Sequence, residues 1–287
     1  MLAPSAVILG TFVVYPLLRA IWRGRQRCDA FGNRCRTNGF DQYVDVFRSV
    51  EFQESLGVTL RFALITVPLG LVLGVGLAVL ADRYLRGIAI FRSVFSSTIA
   101  TSVAVASLMW LFLLQPSVGV LSNVGWFQAL FPSVKEPGWL RDEGTALAAV
   151  AMSSTWAGLG FTFVLVTAAL QSVPRELHEA AAVDGANRVT RFRRVTLPLL
   201  APSLVFVLIV LTTRAFQTYG EIDLLTNGGP RPGASTTTVT YFVYGSASPI
   251  GSDAGLQATS AVLLFVILLV LSALQLRLVG RRADLRV

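Results

Sequence analysis

The chain has 287 residues, of which 54% are hydrophobic and only 14% charged, and its mean hydropathy is +0.65. Soluble domains carry about 25% charged residues, so this composition excludes an ordinary soluble domain and marks an integral membrane protein. The net charge of +8 is weak evidence for a nucleic-acid partner, because arginines bordering apolar spans follow from the positive-inside rule.

Residues 2–22 are apolar and just long enough to span a membrane, which takes about 20 residues. A cleaved signal peptide places positive charge before its apolar core. Here none precedes it, and Arg23, Arg25 and Arg27 follow, so the segment reads as a first transmembrane helix. Its abrupt start at Met1 leaves room for a short leading tail. Residues 23–54 form a polar external segment with Cys28 and Cys35, where a disulfide could persist. The second span covers residues 55–81 and is rich in small residues, including Gly70, Gly74 and Gly76, that permit close helix contacts in lipid.

The short basic connection 82–92 reads as cytoplasmic, and a third span follows over about 93–114. Residues 115–144 make an external loop with mixed charges, and the fourth span covers about 145–170. A charged island, 171–196, separates this span from a fifth that begins near Leu197 and reaches about Tyr219. Asn227-Gly228-Gly229-Pro230 is a turn signal, and a sixth span occupies about 256–276 before an arginine-rich tail. Six spans with both termini inside give three basic cytoplasmic faces. The arginines of residues 23–36 break that pattern on the outside.

The island has chemistry of its own. Pro174 fits a helix start, where a missing N–H costs little, and Glu176 and Glu179 suit the positive end of the helix dipole. Ala180, Ala181 and Ala182 combine helix propensity with little bulk, so another protein surface can approach the backbone closely. Asp184 and Gly185 follow at the turn, and Arg188, Arg191, Arg193 and Arg194 border the next span. An ordinary loop held in by positive charge would explain the arginines. It would not require small residues, acids and a glycine in this order.

This island resembles the EAA…G…LP loop of permease subunits of bacterial ABC importers, through Glu179-Ala180-Ala181, Asp184-Gly185 and Leu197-Pro198. The likeness extends over almost the whole chain, through Thr155-Trp156 with Gly158 and Gly160, and through Leu225-Thr226-Asn227-Gly228-Gly229-Pro230. It is strongest to the carbohydrate-uptake class, and within that to the A-type permeases of glycerol-3-phosphate or glycerophosphodiester importers. His178, the sole histidine, stands where these loops often have an aromatic, and reads as a loop surface residue.

The resemblance implies an all-α integral membrane protein with six transmembrane helices and a cytoplasmic coupling helix, the fold of binding-protein-dependent ABC importer permeases. Residues 1–22 would form the first helix, 23–54 an external segment, and 55–287 a core of five helices with a coupling loop at 171–196. Located in the cell membrane, the chain would pair with a second homologous permease subunit, two ATPase subunits and an extracytoplasmic solute-binding protein. Glu179, Ala180, Ala181, Asp184 and Gly185 would seat in an ATPase subunit. Lys135, the sole lysine, stands in no Walker A loop, so ATP and Mg would act on the partner subunits. The chain would bind no cofactor, metal or nucleic acid and would not be an enzyme.

Arg61 and Arg214 are ionisable residues within spans, which is expensive unless they face protein or a water-filled path. Arg214 lies about 24 Å beyond Pro198 at helical rise, which puts it in the outer half of the membrane. With Thr213, Gln217 and Tyr219 the two arginines form a candidate substrate pathway, in which a guanidinium would match a phosphodiester. Each arginine could instead snorkel to the interface or pair with an acid such as Glu221. The uncharged groups suit a neutral sugar such as trehalose, maltose or another oligosaccharide equally well. A channel, a secondary transporter or a membrane enzyme would have no reason to carry the EAA-like loop.

Overall fold

Long apolar helices dominate the computed structural model, which describes residues 3–28, 35–82, 87–125, 129, 138–230, 234–248, 250–251 and 253–283, with backbone alone for residues 28, 35, 122 and 278–283. Helix α1, Ala3–Arg23, widens into a five-residue π-turn at Gly10–Val14, and its apolar stretch buries nothing against the rest of the chain. Strands β1, Gln26–Cys28, and β2, Cys35–Thr37, pair antiparallel and set Cys28 opposite Cys35 in the backbone register. Helix α2, Asp41–Arg48, is tied back to its neighbours by Tyr43, whose hydroxyl donates to the Ile21 carbonyl at 3.0 Å.

Helix α3, Val50–Ala81, begins five residues before the start at residue 55 expected from hydropathy. Ser49 sets that start: its hydroxyl accepts from the Phe52 N–H, satisfying one orphan donor of the first turn. At 32 residues the helix runs about 48 Å, well beyond the roughly 30 Å of a hydrocarbon core. It is therefore longer than a single crossing requires.

The third span is not the single helix expected over residues 93–114. Helix α4, Ile88–Ala100, and helix α5, Val103–Leu114, meet at a bend of 107°. The last turn of α4, Thr98–Ala100, tightens to 3-10 geometry, and Thr101 and Ser102 are then extended. The Ser102 hydroxyl caps α5 by accepting from Val105 N–H, so a new helix starts where the old one stops.

Helix α6, Ala146–Gln171, lies along α3, and the contact is tight: a Cβ at Gly74 would stand 2.3 Å from the Thr162 methyl. Helix α7, Arg175–Val183, leads through a glycine turn to helix α8, Arg188–Phe216. Helices α9, Gly220–Thr226, and α10, Val239–Tyr244, are short, and α11, Ala254–Ala283, closes the described chain. Among the described residues, five helices are long and apolar enough to cross a membrane, and the bent α4–α5 pair makes a sixth candidate span.

Buried threonines fasten the α9–α10 region to the spans. Thr59 of α3 accepts from Val239 N–H at 2.9 Å, Thr238 donates to the Thr218 carbonyl and Thr240 to the Phe216 carbonyl. Asn227 holds a left-handed backbone, φ 49°, which asparagine tolerates, and its side chain accepts from the Tyr241 hydroxyl at 2.8 Å. Phe52, Phe62, Phe163, Phe216 and Tyr241 are almost fully buried at the centre of this core.

Candidate functional site

A cavity of about 260 Å³ opens between α3, the α4–α5 bend, α6 and α8. The bend supplies Ile99, Thr101 and Val103, which an unbroken third span could not bring there. Helix α3 contributes Thr66 and Gly70, and α6 contributes Ser154, Thr155, Gly158 and Phe161. Arg214, Gln217, Thr218 and Glu221 form the polar wall from the end of α8 onward.

Of the five residues expected to line a substrate path, the structure brings two together. Arg214 and Gln217 line the cavity, and the Arg214 guanidinium stands over the Phe161 ring at 5.3 Å to its centroid, a cation–π contact. Arg61 is exposed on α3 away from the cavity. The Thr213 hydroxyl is taken by the Ile209 carbonyl at 2.9 Å, and Tyr219 stacks on Tyr241 at 6.0 Å. Those three residues lie outside the cavity lining.

Two further residues belong to the site: Glu221, expected only as a possible acid partner of an arginine, and Thr155, read only as part of the family resemblance. Glu221, 9% exposed, shares the cavity wall with Arg214. Burial pushes its carboxyl above the ordinary carboxylate range, against the opposing pull of its own backbone N–H and the Arg214 charge. Thr155 is 6% exposed, and its hydroxyl has no hydrogen-bond partner among the described residues. The cavity thus offers one cation, one buried acid and several hydroxyl or amide groups.

The island at 171–196 forms a projecting loop. Pro174 precedes α7, and Glu176 sits in its first turn. Glu179, Ala180, Asp184 and Gly185 are exposed, and Ala181 is half-buried. Gly185 takes φ +77°, the left-handed value that glycine accepts readily, and no atom crowds its missing Cβ. Asn187 then starts α8 by accepting from Thr190 N–H at 2.8 Å, and a π-turn at Phe192–Thr196 leads into the apolar stretch. Val183 and Val189 are 89% and 65% exposed, an apolar rim on an otherwise charged knob.

His178 is not the simple surface residue expected. It is half-buried and lines a small cavity with Asp82, Arg188 and Arg191 behind the loop. No cluster of three or more histidine, cysteine or acidic residues able to hold a metal occurs among the described residues. The side chains of Cys28 and Cys35, the backbone of Arg83 and Arg86, and Lys135 lie outside what the structure describes.

An all-helical multi-pass frame, a cavity among its spans and an exposed helix–glycine–helix loop define the membrane subunit of a binding-protein-dependent importer. Residues 46–284 match the family described as "Binding-protein-dependent transport system inner membrane component", and the chain belongs to that family. It is 33% identical to the sn-glycerol-3-phosphate transport system permease protein UgpA of Escherichia coli O157:H7, over 97% of this chain and 92% of that one. The Agrobacterium fabrum UgpA is also 33% identical, over 98% and 94% of the two chains. Among solved structures, a bacterial ABC transporter that imports the acidic polysaccharide alginate superposes with a TM-score of 0.80 at 21% identity, covering 98% of this chain and 94% of that one. That likeness is one of fold.

Proposed function

We propose that this chain is a permease subunit of an ATP-driven importer for glycerol-3-phosphate or glycerophosphodiesters. The observation that carries the substrate reading is Arg214, a lone guanidinium on the cavity wall, together with the similarity to the UgpA permeases. A guanidinium offers paired N–H donors to a phosphate, and the neighbouring hydroxyl and amide groups suit glycerol hydroxyls. Glu221 shares that wall, and burial raises its carboxyl above the ordinary carboxylate range.

Coupling is assigned to Glu179, Ala180, Ala181, Asp184 and Gly185, seated in a separate ATPase subunit that binds ATP and Mg. The exposure of Glu179, Ala180, Asp184 and Gly185 and the small alanine face support this role. The assembly comprises a second homologous permease, two ATPase subunits and an extracytoplasmic solute-binding protein. Both termini lie in the cytoplasm, with residues 1–22 as the first helix, 23–54 outside and 55–287 as the core. A Cys28–Cys35 disulfide closes the external hairpin, in keeping with the facing backbone register of those two residues.

The test is uptake in vesicles holding this chain with its permease partner, ATPases and binding protein, offered glycerol-3-phosphate, a glycerophosphodiester or neutral disaccharides. ATP-dependent uptake of the phosphorylated solutes alone is the expected result. Uptake of a disaccharide alone would move the substrate to the neutral sugars, for which Gln217, Thr218 and Thr155 provide the hydrogen-bonding groups.

A further inference from the structure

A second cavity, of about 380 Å³, lies at the other end of the molecule from the projecting loop. Helix α3 separates the two ends: Glu51 stands in its first turn, and Asp82, beside the loop, caps its last. Their 31-residue separation corresponds to about 47 Å of helix, which places Glu51 beyond the opposite face of the membrane.

The floor of this pocket is apolar, made by Val46, Phe242, Ile250 and Leu256, and Asp45 and Glu51 are exposed at its edge. Gln42, only 2% exposed, supplies the decisive detail. Its amide nitrogen donates to the Gln26 carbonyl at 3.3 Å and to Thr259 Oγ1 at 3.1 Å, while that threonine hydroxyl lies 2.8 Å from the Gly24 carbonyl. Turning the amide over would set Oε1 against the Gln26 carbonyl oxygen, so these contacts fix the group's orientation. Oε1 is left buried with no donor among the described residues, on a side chain that lines the pocket. A buried acceptor in that condition costs about 1–3 kcal/mol until a donor arrives.

Among the described residues the pocket therefore combines two carboxylates and an apolar floor with a buried amide oxygen that has no donor, and Arg27 is the one cation of its described lining. This is the complement of a primary ammonium on a hydrocarbon stem. A lipid ethanolamine fits less well, because its phosphate, next to the amine, would meet Asp45 and Glu51. Lysine has four methylenes for the floor and three N–H donors for the acceptors. We infer that the Gln42–Asp45–Glu51 pocket receives a lysine side chain of the extracytoplasmic solute-binding protein and docks that protein on this permease. The inference rests on the proposed function, which supplies the partner and makes this end of α3 the outer one.

Carbodiimide treatment of the full assembly with its binding protein tests it, since the reagent joins a carboxylate to an amine only when the two are in contact. The expected product is an amide between Asp45 or Glu51 and a lysine of the binding protein, mapped by mass spectrometry and lost in the Asp45→Asn, Glu51→Gln double variant. In the same variant, the concentration of binding protein giving half-maximal ATPase stimulation rises about tenfold, with the maximal rate unchanged. Coupling instead to the second permease or to phosphatidylethanolamine would overturn the docking assignment, as would an unchanged half-stimulating concentration in the assembled variant. If the binding protein fails to stimulate the wild-type complex at all, the proposed function fails with it. The two failures are thus distinct.

Discussion

Gly160 of α6 sits directly beneath Thr98 at the end of α4: a Cβ there would stand 2.2 Å from Thr98 Oγ1 and 2.6 Å from the Ile99 nitrogen. The second distance matters more, because backbone cannot rotate aside as a hydroxyl can. The bend that opens the cavity therefore rests on a residue with no side chain. Gly160→Ala is expected to destabilise the protein by about 1–3 kcal/mol, the range for overpacking a tight contact. Thermal unfolding in detergent would show it as a lowered Tm. An unchanged Tm would mean that α4 is free to move off α6.

Thr59 is fully buried, and its hydroxyl both donates to the Ser55 carbonyl at 2.7 Å and accepts from Val239 N–H at 2.9 Å. Thr59→Val keeps the shape and leaves that N–H without a partner. The expected cost is about 1–3 kcal/mol. Thr59→Ser, which retains the hydroxyl, should recover part of it in the same Tm measurement.

Arg214→Gln should reduce uptake of a phosphorylated solute by about 10–100-fold, the loss expected for one charge-assisted hydrogen-bonding group. Arg214→Lys keeps the charge but not the planar fork, and is expected between the two. Vesicle uptake of radiolabelled glycerol-3-phosphate reads both variants. Equal uptake in all three would remove Arg214 from the substrate path.

Glu221 links stability to pH. Its folded-state carboxyl titrates above its ordinary value, chiefly because of burial, so the folded protein holds this proton more tightly than the unfolded chain does. Its stabilising contribution is complete below the ordinary value of 4.5, declines as pH rises through the raised folded-state value, and is flat beyond it. Glu221→Gln should therefore flatten the dependence of Tm on pH above the ordinary carboxylate value, and raise Tm once the pH has passed the raised folded-state value. A Tm lowered by the substitution at high pH would show that the carboxylate is held chiefly by Arg214.

Glu179 is exposed on α7. Glu179→Lys is expected to leave Tm within about 1 °C of the wild type, as exposed substitutions do, while ATPase stimulation by substrate-loaded binding protein falls more than about tenfold. Gly185→Ala should instead destabilise the folded chain by about 1–2 kcal/mol, read as a lowered Tm, from forcing a Cβ into the left-handed region without any clash.

The apolar runs and the EAA-like order made the spans and the loop legible, because hydropathy over 20 residues and a glycine at a turn are local properties. The bend at Thr101–Ser102 was not, since neither proline nor glycine stands there. Its one local trace is the Ser/Thr cluster ending in Ser102, whose hydroxyl caps α5. Half of the polar wall from the end of α8 was legible through Arg214 and Gln217, which stand out as polar groups in or near an apolar run. Glu221 was legible only as a possible partner for an arginine, and the place of Thr155 in the wall was not, because burial decides their role and burial depends on which helices meet. Gln42 is the extreme case: its partner Thr259 lies 217 residues away.

Helix α8 joins the base of the projecting loop to the cavity without a break, from Arg188 to Phe216. Between Arg188 and Arg214 it extends about 39 Å, so any tilt about its loop end would be magnified at the far end. A tilt of roughly 10° about its loop end would carry the far guanidinium through about 7 Å, further than a hydrogen bond can stretch. By that geometry, a small displacement at the loop end would be enough to make or break a contact of Arg214 at the cavity.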